Sequence, residues 1–272
     1  MIAILMATYN GERFIQEQID SIINQSYTDW SLYIRDDGST DNTVSIISSY
    51  SKKYPKKIVV LTDDTIHRGP TQSFMWLLQS VKADYYMFSD QDDIWLKNKV
   101  EISINMIKKH EEKEKPALCF TDLSIANENG DVIAYSMWRY TNMDKYLCGY
   151  SALYAASVTG CTMILNNKAK EVSLKYKDLN GVHDNIITLA TIKNKGIIIP
   201  IHQPTILYRQ HGNNVLGVKQ YDNSLSYRIK NLRRILSVTI NHLYLTYKIN
   251  NINFIEFIIL NTAKKILIRH AN

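Results

Sequence analysis

Phe88-Ser89-Asp90-Gln91-Asp92-Asp93-Ile94-Trp95 is the stretch on which the reading of this chain turns. It sets three carboxylates within four residues, after the apolar run Tyr85 to Phe88 and before a segment from Trp95 to His110 whose periodicity predicts a helix. The acidic cluster thus falls at the C-terminal end of a buried strand, where open α/β sheets carry their ligands. Carboxylates this close repel one another and are costly unless a cation or water satisfies them. Hard divalent cations such as Mg²⁺ and Mn²⁺ take one or two carboxylates and complete their shell with substrate phosphates. The alternative is a solvated acidic turn that caps the next helix, for which Asp93 alone suffices.

The flanking sequence decides between these. Ile2 to Thr8 is a continuous apolar run ending in the turn Tyr9-Asn10-Gly11, and Glu12 to Asn24 carries apolar residues at helical spacing. Trp30 to Arg35 predicts a second strand, ending in Asp36-Asp37-Gly38-Ser39-Thr40-Asp41; Thr40 or Asp41 caps a helix running to about Tyr54. Lys57 to Thr62 and Gln72 to Val81 continue the alternation as a strand and a helix. Such alternation predicts a mostly parallel α/β sheet covered by helices on both faces, with right-handed crossovers that bring Tyr9, Asp37 and Asp90–Asp93 to one rim. Past the cluster, Ala117 to Ser124 and Asp131 to Ala134 flank the turn Asn127-Glu128-Asn129-Gly130, so an antiparallel part is expected. Thr159 to Leu165 predicts a strand, Val182 to Asn194 a helix and Gly196 to Ile201 a further strand, followed by the polar segment Tyr208 to Asn214.

Composition excludes several classes. The 272 residues, 45% hydrophobic and 21% charged, suit one large α/β domain with a small appendage. Cys119, Cys148 and Cys161 form an odd, irregular set that suits a reducing cytosol rather than a disulfide framework or zinc site. No run reaches the ~20 apolar residues a membrane span requires, and Met1 to Met6 lacks the basic flank of a signal peptide. Of the net charge of +6, Leu225 to Asn272 contributes +7, with eight Lys/Arg against Glu256. A net positive charge confined to the tail, with no recognition motif, argues against nucleic-acid binding. No GxGxxG follows the first strand, which argues against a dinucleotide enzyme.

The rim suits a nucleotide diphosphate. An aromatic residue at a strand end stacks on a base, an aspartate accepts the imide N–H of uracil or thymine, and the acidic cluster binds a metal on the diphosphate. The ordered motifs Ala7-Thr8-Tyr9-Asn10-Gly11, Arg35-Asp36-Asp37-Gly38-Ser39-Thr40-Asp41 and Ser89-Asp90-Gln91-Asp92-Asp93 closely resemble the inverting family 2 glycosyltransferases of the GT-A fold, from Ile2 to about Leu216. Within that family, Ser89 to Trp95 together with Leu207 to Gly217 resembles the bacterial rhamnosyltransferase-type subgroup that builds cell-wall and capsular polysaccharides.

The resemblance implies a role for each residue. Thr8 and Tyr9 meet the nucleotide, with Tyr9 stacked on the pyrimidine; Asp37 accepts its N3–H. Asp90 and Asp92 are the DxD pair, with Asp90 at the ribose or a metal-bound water and Asp92 on Mn²⁺ or Mg²⁺; Asp93 caps the following helix. Asp184, within His183-Asp184 where the family has Glu-Asp, is the general base that takes the acceptor hydroxyl's proton. Arg209 and His211 match the family's Arg-x-His segment, His211 joining the metal; Arg209, Gly160 and His183 meet the diphosphate or the acceptor. Implied partners are a dTDP- or UDP-sugar donor and a saccharide or lipid-linked acceptor, at the cytoplasmic face of the plasma membrane.

Each residue taken alone has a plainer reading: Tyr9 and Trp95 as packed aromatics, Asp36-Asp37-Gly38 as a turn, Asp184 as a dipole-favoured carboxylate, His211 as an ordinary histidine. Their joint order and spacing favour the site. The boundary is placed at 217/218. Beyond it Leu225, Ile229, Leu232, Leu236, Ile240, Leu243 and Tyr247 recur at helical spacing beside Arg228, Lys230, Arg233 and Arg234. A basic amphipathic helix of this kind lies on an anionic membrane or packs on the catalytic domain or on a second subunit as a homodimer contact.

Overall fold

The computed structural model of the chain describes residues 1–65, 67–143, 158–212, 232–252 and 255–256, with side chains of the last helix described from Thr239 onward. Four apolar runs of the N-terminal half form β1 (Ile2–Thr8), β2 (Trp30–Asp36), β3 (Ile58–Val60) and β4 (Tyr85–Ser89). All four run parallel, with β1 between β2 and β4 and its residues Ile2 to Met6 fully buried. A strand enclosed on both faces has no reason to alternate apolar with polar, and β1 does not. The helices α1 (Ile15–Ile23), α2 (Thr43–Lys53) and α3 (Gly69–Ser80) make the crossovers. Ile15, Ile19 and Ile22 face the core at spacings of four and three residues, as a 3.6-residue period requires.

The remaining strands are β5 (Ile94–Trp95), β6 (Ala117–Ala126), β7 (Val132–Ala134), β8 (Met163–Asn166) and β9 (Ile197–Arg209). The sheet runs β3-β2-β1-β4-β8-β6-β9-β5, with β7 hairpinned onto β6. β8 lies antiparallel to both neighbours, β4 and β6, whereas β9 runs parallel to β6. The C-terminal ends of β1, β2, β4 and β9 therefore share one rim. The hairpin turn closes where Gly130 takes φ 88°, a conformation open to glycine, and Asn127 Oδ1 accepts from the N–H groups of Asn129 and Asp131. Four further helices are α4 (Lys99–His110), α5 (Met137–Tyr140), α6 (Asn167–Leu174) and α7 (His183–Lys193), and α8 (Leu232–Asn250) follows near the C-terminus.

Several expected boundaries move. The segment after the acidic cluster is first a strand: Ile94 and Trp95 pair antiparallel with Leu207 and Ile206, and α4 begins only at Lys99. Asp93 consequently caps nothing; the N-cap of α4 is Asn98. The strand expected from Thr159 starts at Met163, because Gly160–Thr162 forms a 3₁₀ turn. β9 runs on past Ile201 to Arg209, taking in residues whose polarity suggested a loop.

The described part of the tail settles on the domain. His242, Leu245, Thr246 and Ile249 form the buried face of α8, which packs on α7. At Gly181, just before α7, an added Cβ would lie 2.5 Å from Leu245 Cδ1. Burying each large aliphatic there contributes about 1.5–3 kcal/mol. This face differs from the stripe expected from sequence: Ile240 and Tyr247 are exposed at 59% and 55%. Leu225, Ile229, Arg228 and Lys230 lie outside the described residues, as do the side chains of Leu232, Arg233, Arg234 and Leu236. Among the described residues, no helix is long and apolar enough to cross a membrane.

Candidate active site

A cleft of about 1400 Å³ opens along this rim and is lined by nine of the ten expected site residues, all but Arg209. Thr8, Tyr9 and Asp37, then Asp90, Asp92 and His211, and then Gly160, His183 and Asp184 all line it. Asn241, His242 and Leu245 of α8 also reach the wall. Sequence reading missed them because nothing in a basic tail signals a cleft contact.

Strand β1 stops at Thr8 and the chain turns through Asn10 at φ 47°. Thr8 Oγ1 donates to Asp36 Oδ1 at 2.9 Å, and Asp36 also accepts from the N–H groups of Gly38 and Ser39. Asp36 thereby organises the turn and frees Asp37 to face the cleft. The ring of Tyr9 is 48% exposed, with His67 edge-on at 5.6 Å. Its backbone is clamped by the Gln91 side chain, whose Oε1 accepts from Tyr9 N–H at 2.9 Å while Nε2 donates to Tyr9 O at 3.0 Å. Gln91 therefore ties the base-stacking candidate to the acidic loop.

Asp37 is 6% exposed. Its Oδ1 accepts from Arg35 Nη1 at 2.7 Å and Arg68 N–H at 2.8 Å, and its Oδ2 from Gly69 N–H at 2.8 Å. Burial acts to raise its pKa, but the Arg35 guanidinium and the two N–H donors outweigh it and hold the carboxyl below its usual range. A carboxylate offers about four acceptor sites; these three bonds leave room for one ligand N–H. Arg35, 1% exposed, also pairs with Asp63, a network with no signal in the sequence beyond its place before Asp36-Asp37.

In the acidic loop, Asp92 Oδ2 lies 2.8 Å from His211 Nε2, and the His211 ring stacks on Phe14 at 4.7 Å. The two residues expected at the metal are thus neighbours in space across 119 residues of sequence. Asp90 is pushed up to about 7, first by burial and then by the charges of Asp92 and Asp184. Asp93 is fully buried and pushed well above the carboxylate range by burial, then by Asp92 and Asp90. Its Oδ1 accepts from Arg209 N–H at 3.2 Å, while Oδ2 has no hydrogen-bond partner. Buried carboxylates this crowded, with one oxygen unsatisfied, fit a divalent cation.

Arg209 departs from its expected place at the diphosphate. It is 3% exposed, and its guanidinium donates to Asp92 O at 2.9 Å, Glu128 O at 2.7 Å and Glu17 Oε2 at 2.5 Å. Three donors committed beneath the acidic loop make it a clamp on that loop. A guanidinium's rigid fork suits such multiple bonding.

Asp184 opens α7. Its Oδ1 accepts from Asn185 N–H at 2.6 Å and its Oδ2 from Gly160 N–H at 3.3 Å. Burial pushes its pKa up to about 6. A carboxylate so tuned is a stronger base near neutral pH than a solvated one. His183 is 7% exposed, tilted against Phe74 and Phe88 at ring distances of 4.5 and 5.0 Å. Burial pulls its pKa down to about 3, so the imidazole is neutral, and neither ring nitrogen has a hydrogen-bond partner.

The sequence model described as Glycosyl transferase family 2 matches residues 3–173. The chain belongs to that family. As a family 2 glycosyltransferase it is similar to the dTDP-rhamnosyl transferase RfbG of Shigella flexneri, 34% identical over 229 residues, 78% of this chain and 73% of that one. Among solved structures it is similar to S. aureus TarS 1-349 in complex with UDP-GlcNAc, at TM-score 0.60 and 18% identity over 91% of this chain and 72% of that one. A second TarS 1-349 structure, at TM-score 0.58 and 21% identity, is covered over 60% of its own length. The mannosyltransferase PcManGT from Pyrobaculum calidifontis, solved with GDP-Man and Mn²⁺, matches at TM-score 0.58 and 16% identity, over 91% of this chain and 64% of that one. At these identities the structures carry the shared GT-A fold.

Proposed function

We propose that this family 2 glycosyltransferase is metal-dependent and inverting, and moves L-rhamnose from dTDP-β-L-rhamnose to a saccharide or lipid-linked acceptor in cell-surface polysaccharide synthesis. The observation that carries the reading is Asp184, a carboxylate raised to about 6 that lines the same cleft as Asp90 and Asp92. Asp184 takes the acceptor hydroxyl's proton as that oxygen attacks C1 of the sugar, and inversion gives an α-L-rhamnoside. Tyr9 offers its exposed ring to the pyrimidine, and Asp37 its remaining acceptor site to N3–H. Asp92 and His211, with Asp90 beside them, would hold Mn²⁺ or Mg²⁺. When bound, that ion acts as a Lewis acid on the diphosphate leaving group. The dTDP-rhamnosyl relative supports the donor, and the Mn²⁺-bound mannosyltransferase supports the metal.

A UDP-hexose or UDP-N-acetylhexosamine donor is the second reading, favoured by the likeness to a UDP-GlcNAc complex. A non-catalytic nucleotide-sugar-binding subunit has nothing in the cleft to favour it, since Asp37, Asp90, Asp92 and Asp184 all line it. The exposed Ile240, Tyr244 and Tyr247 beside Lys248 suit peripheral contact with an anionic membrane that presents the acceptor.

The test is nucleotide release from a panel of dTDP-, UDP- and GDP-sugars with Mn²⁺, Mg²⁺ or EDTA. Release from dTDP-rhamnose alone, lost in EDTA, is the expected result; preference for a UDP-sugar overturns rhamnose and keeps the chemistry. Asp184→Asn should abolish transfer and leave donor binding nearly intact. Equal loss of both would remove Asp184 as the base.

A further inference from the structure

The roles above leave unused a cluster on the buried side of the acidic loop. One carboxylate oxygen from Asp90, one from Asp93 and Cys161 Sγ all lie within 4.8 Å of one another. Cys161 is 1% exposed, carried by the 3₁₀ turn Gly160–Thr162 that also brings Gly160 to Asp184. Asp93 is fully buried with Oδ2 unpartnered, and Asp90 is the member that reaches the cleft. Lys99, fully buried on the first turn of α4, completes the group. Its Nζ sits 4.7 Å from the Trp95 ring centroid, without a hydrogen-bond partner and within electrostatic reach of Asp93 and Cys161.

Hydrogen bonds within the protein satisfy this cluster only in part: Asp93 Oδ1 accepts from Arg209 N–H and the Cys161 thiol meets the two carboxyl groups, while Asp93 Oδ2 and Lys99 Nζ have no partner. An unpaired buried carboxylate oxygen costs several kcal/mol-scale desolvation unless a cation or proton meets it. Once a cation has displaced the protons that burial holds on Asp93 and Cys161, the two carboxylates, the thiolate and the Lys99 ammonium carry a net charge of −2, which one divalent cation cancels. Donor chemistry then selects the ion. Mg²⁺ takes oxygen ligands and dehydrates reluctantly, whereas a thiolate favours softer ions of the Zn²⁺ type.

We infer that Asp90, Asp93 and Cys161 form a cation position with a thiolate ligand, which takes a thiophilic divalent ion such as Zn²⁺, Co²⁺ or Cd²⁺ in preference to Mg²⁺. The inference rests on the reading that the acidic loop binds a divalent cation, and adds a second position behind that loop, apart from Asp92 and His211, whose shell includes sulfur. On binding, the S–H bond is replaced by a sulfur–metal bond and the proton leaves to solvent. Asp90 belongs to both faces of the loop, so occupancy behind it is felt in the cleft.

The test is titration of the metal-free full chain with Co²⁺ and Cd²⁺, following the thiolate-to-metal charge-transfer absorption in the near ultraviolet. Mn²⁺ binding is measured alongside by electron paramagnetic resonance. Wild type should develop the band at one equivalent. Cys161→Ser and Cys161→Ala should lose it and at least about tenfold in Cd²⁺ affinity, the lower end of what loss of even an outer-shell partner costs. Thermal melts of both variants check folding, and Cys119→Ser, altering a buried cysteine on β6, should keep the band. A band that persists in both Cys161 variants, or its absence from wild type while Mn²⁺ still binds, overturns the thiolate ligand and leaves the cleft-side metal standing. Binding of none of these ions overturns both.

Discussion

Gly160 is the position where a single methyl group should do most harm. An added Cβ would lie 2.9 Å from His183 Cε1 and closer still to Nε2, well inside the distance real Cβ atoms tolerate. The imidazole yields only at a cost, because Phe74 and Phe88 flank it at ring distances of 4.5 and 5.0 Å. Overpacking of a closed site costs about 1–3 kcal/mol, so Gly160→Ala should lose about 2 kcal/mol, roughly 4–8 °C in melting temperature. Relief comes most easily by moving the Gly160 backbone, and its N–H to Asp184 Oδ2 is already at 3.3 Å. Lengthening that bond loosens the proposed base, and misplacement by an ångström costs on the order of 10²-fold in rate. The assay is a double-mutant cycle with His183→Ala, followed by thermal melts and by transfer kinetics. With the ring gone the methyl has space, so the double variant should recover about 2 kcal/mol relative to the sum of the singles. Additivity within about 0.3–0.5 kcal/mol would refute the clash as the cause.

Three further predictions follow from the same geometry. Asp184 must be deprotonated to act as base, and its raised pKa means that this form is lost as pH falls through about 6. At saturating divalent cation, kcat/KM should therefore drop about tenfold per unit below that value, and a flat profile to well below 6 would sink the assignment. Asp37→Asn removes one carboxylate partner of the buried Arg35 and should destabilise the fold by about 3 kcal/mol, the low end for breaking a buried pair, because Asp63 still holds Nη2; an unchanged melting temperature would show the pair to be dispensable. Tyr9→Ala should leave stability within about 0.5 kcal/mol, since the ring is half exposed. It should weaken donor binding by about 1–3 kcal/mol through lost stacking, and unaltered nucleotide affinity would exclude Tyr9 from the base site.

The parallel half of the fold was legible because its signals are local. β1 and β4 are apolar runs that end in turn residues, β2 is one broken only by Ser31 before its polar end, and the crossover helix α1 shows a 3.6-residue period. Where the structure differs, a long-range contact overrides the local pattern. Ile94-Trp95 reads as the start of a helix, yet it becomes a strand because β9 lies alongside, 112 residues later at Ile206–Leu207. Polar Tyr208-Arg209 reads as loop but completes β9, because Ile125 and Ala126 of β6 pair with it and Asp93 and Asp92 supply acceptors to Arg209 that no window of neighbouring residues contains. The site followed the same rule. Residues announced by short motifs lined the cleft, while Arg35, Lys99 and Asn241 were silent: a buried cation or a tail residue is recognised only by what folds against it.

Arg209 shows why a motif residue need not touch the ligand its motif serves. Asp90, Asp92 and Asp93 repel one another, so a loop carrying all three would spread unless anchored. Arg209 supplies the anchor in two ways: its backbone N–H meets Asp93 Oδ1, and its guanidinium ties Asp92 O to Glu128 O and the Glu17 carboxylate. Phe14 stacks between this guanidinium, at 4.8 Å, and the His211 ring, at 4.7 Å. The segment Arg209-Gln210-His211 thus works as one piece, with Arg209 holding the loop's backbone from behind and His211 meeting Asp92 from the cleft. Residues two apart on extended backbone share a face, so both side chains meet the Phe14 ring, and their division comes from position along the chain: Arg209 ends β9 within the protein, and His211, beyond it, lines the cleft.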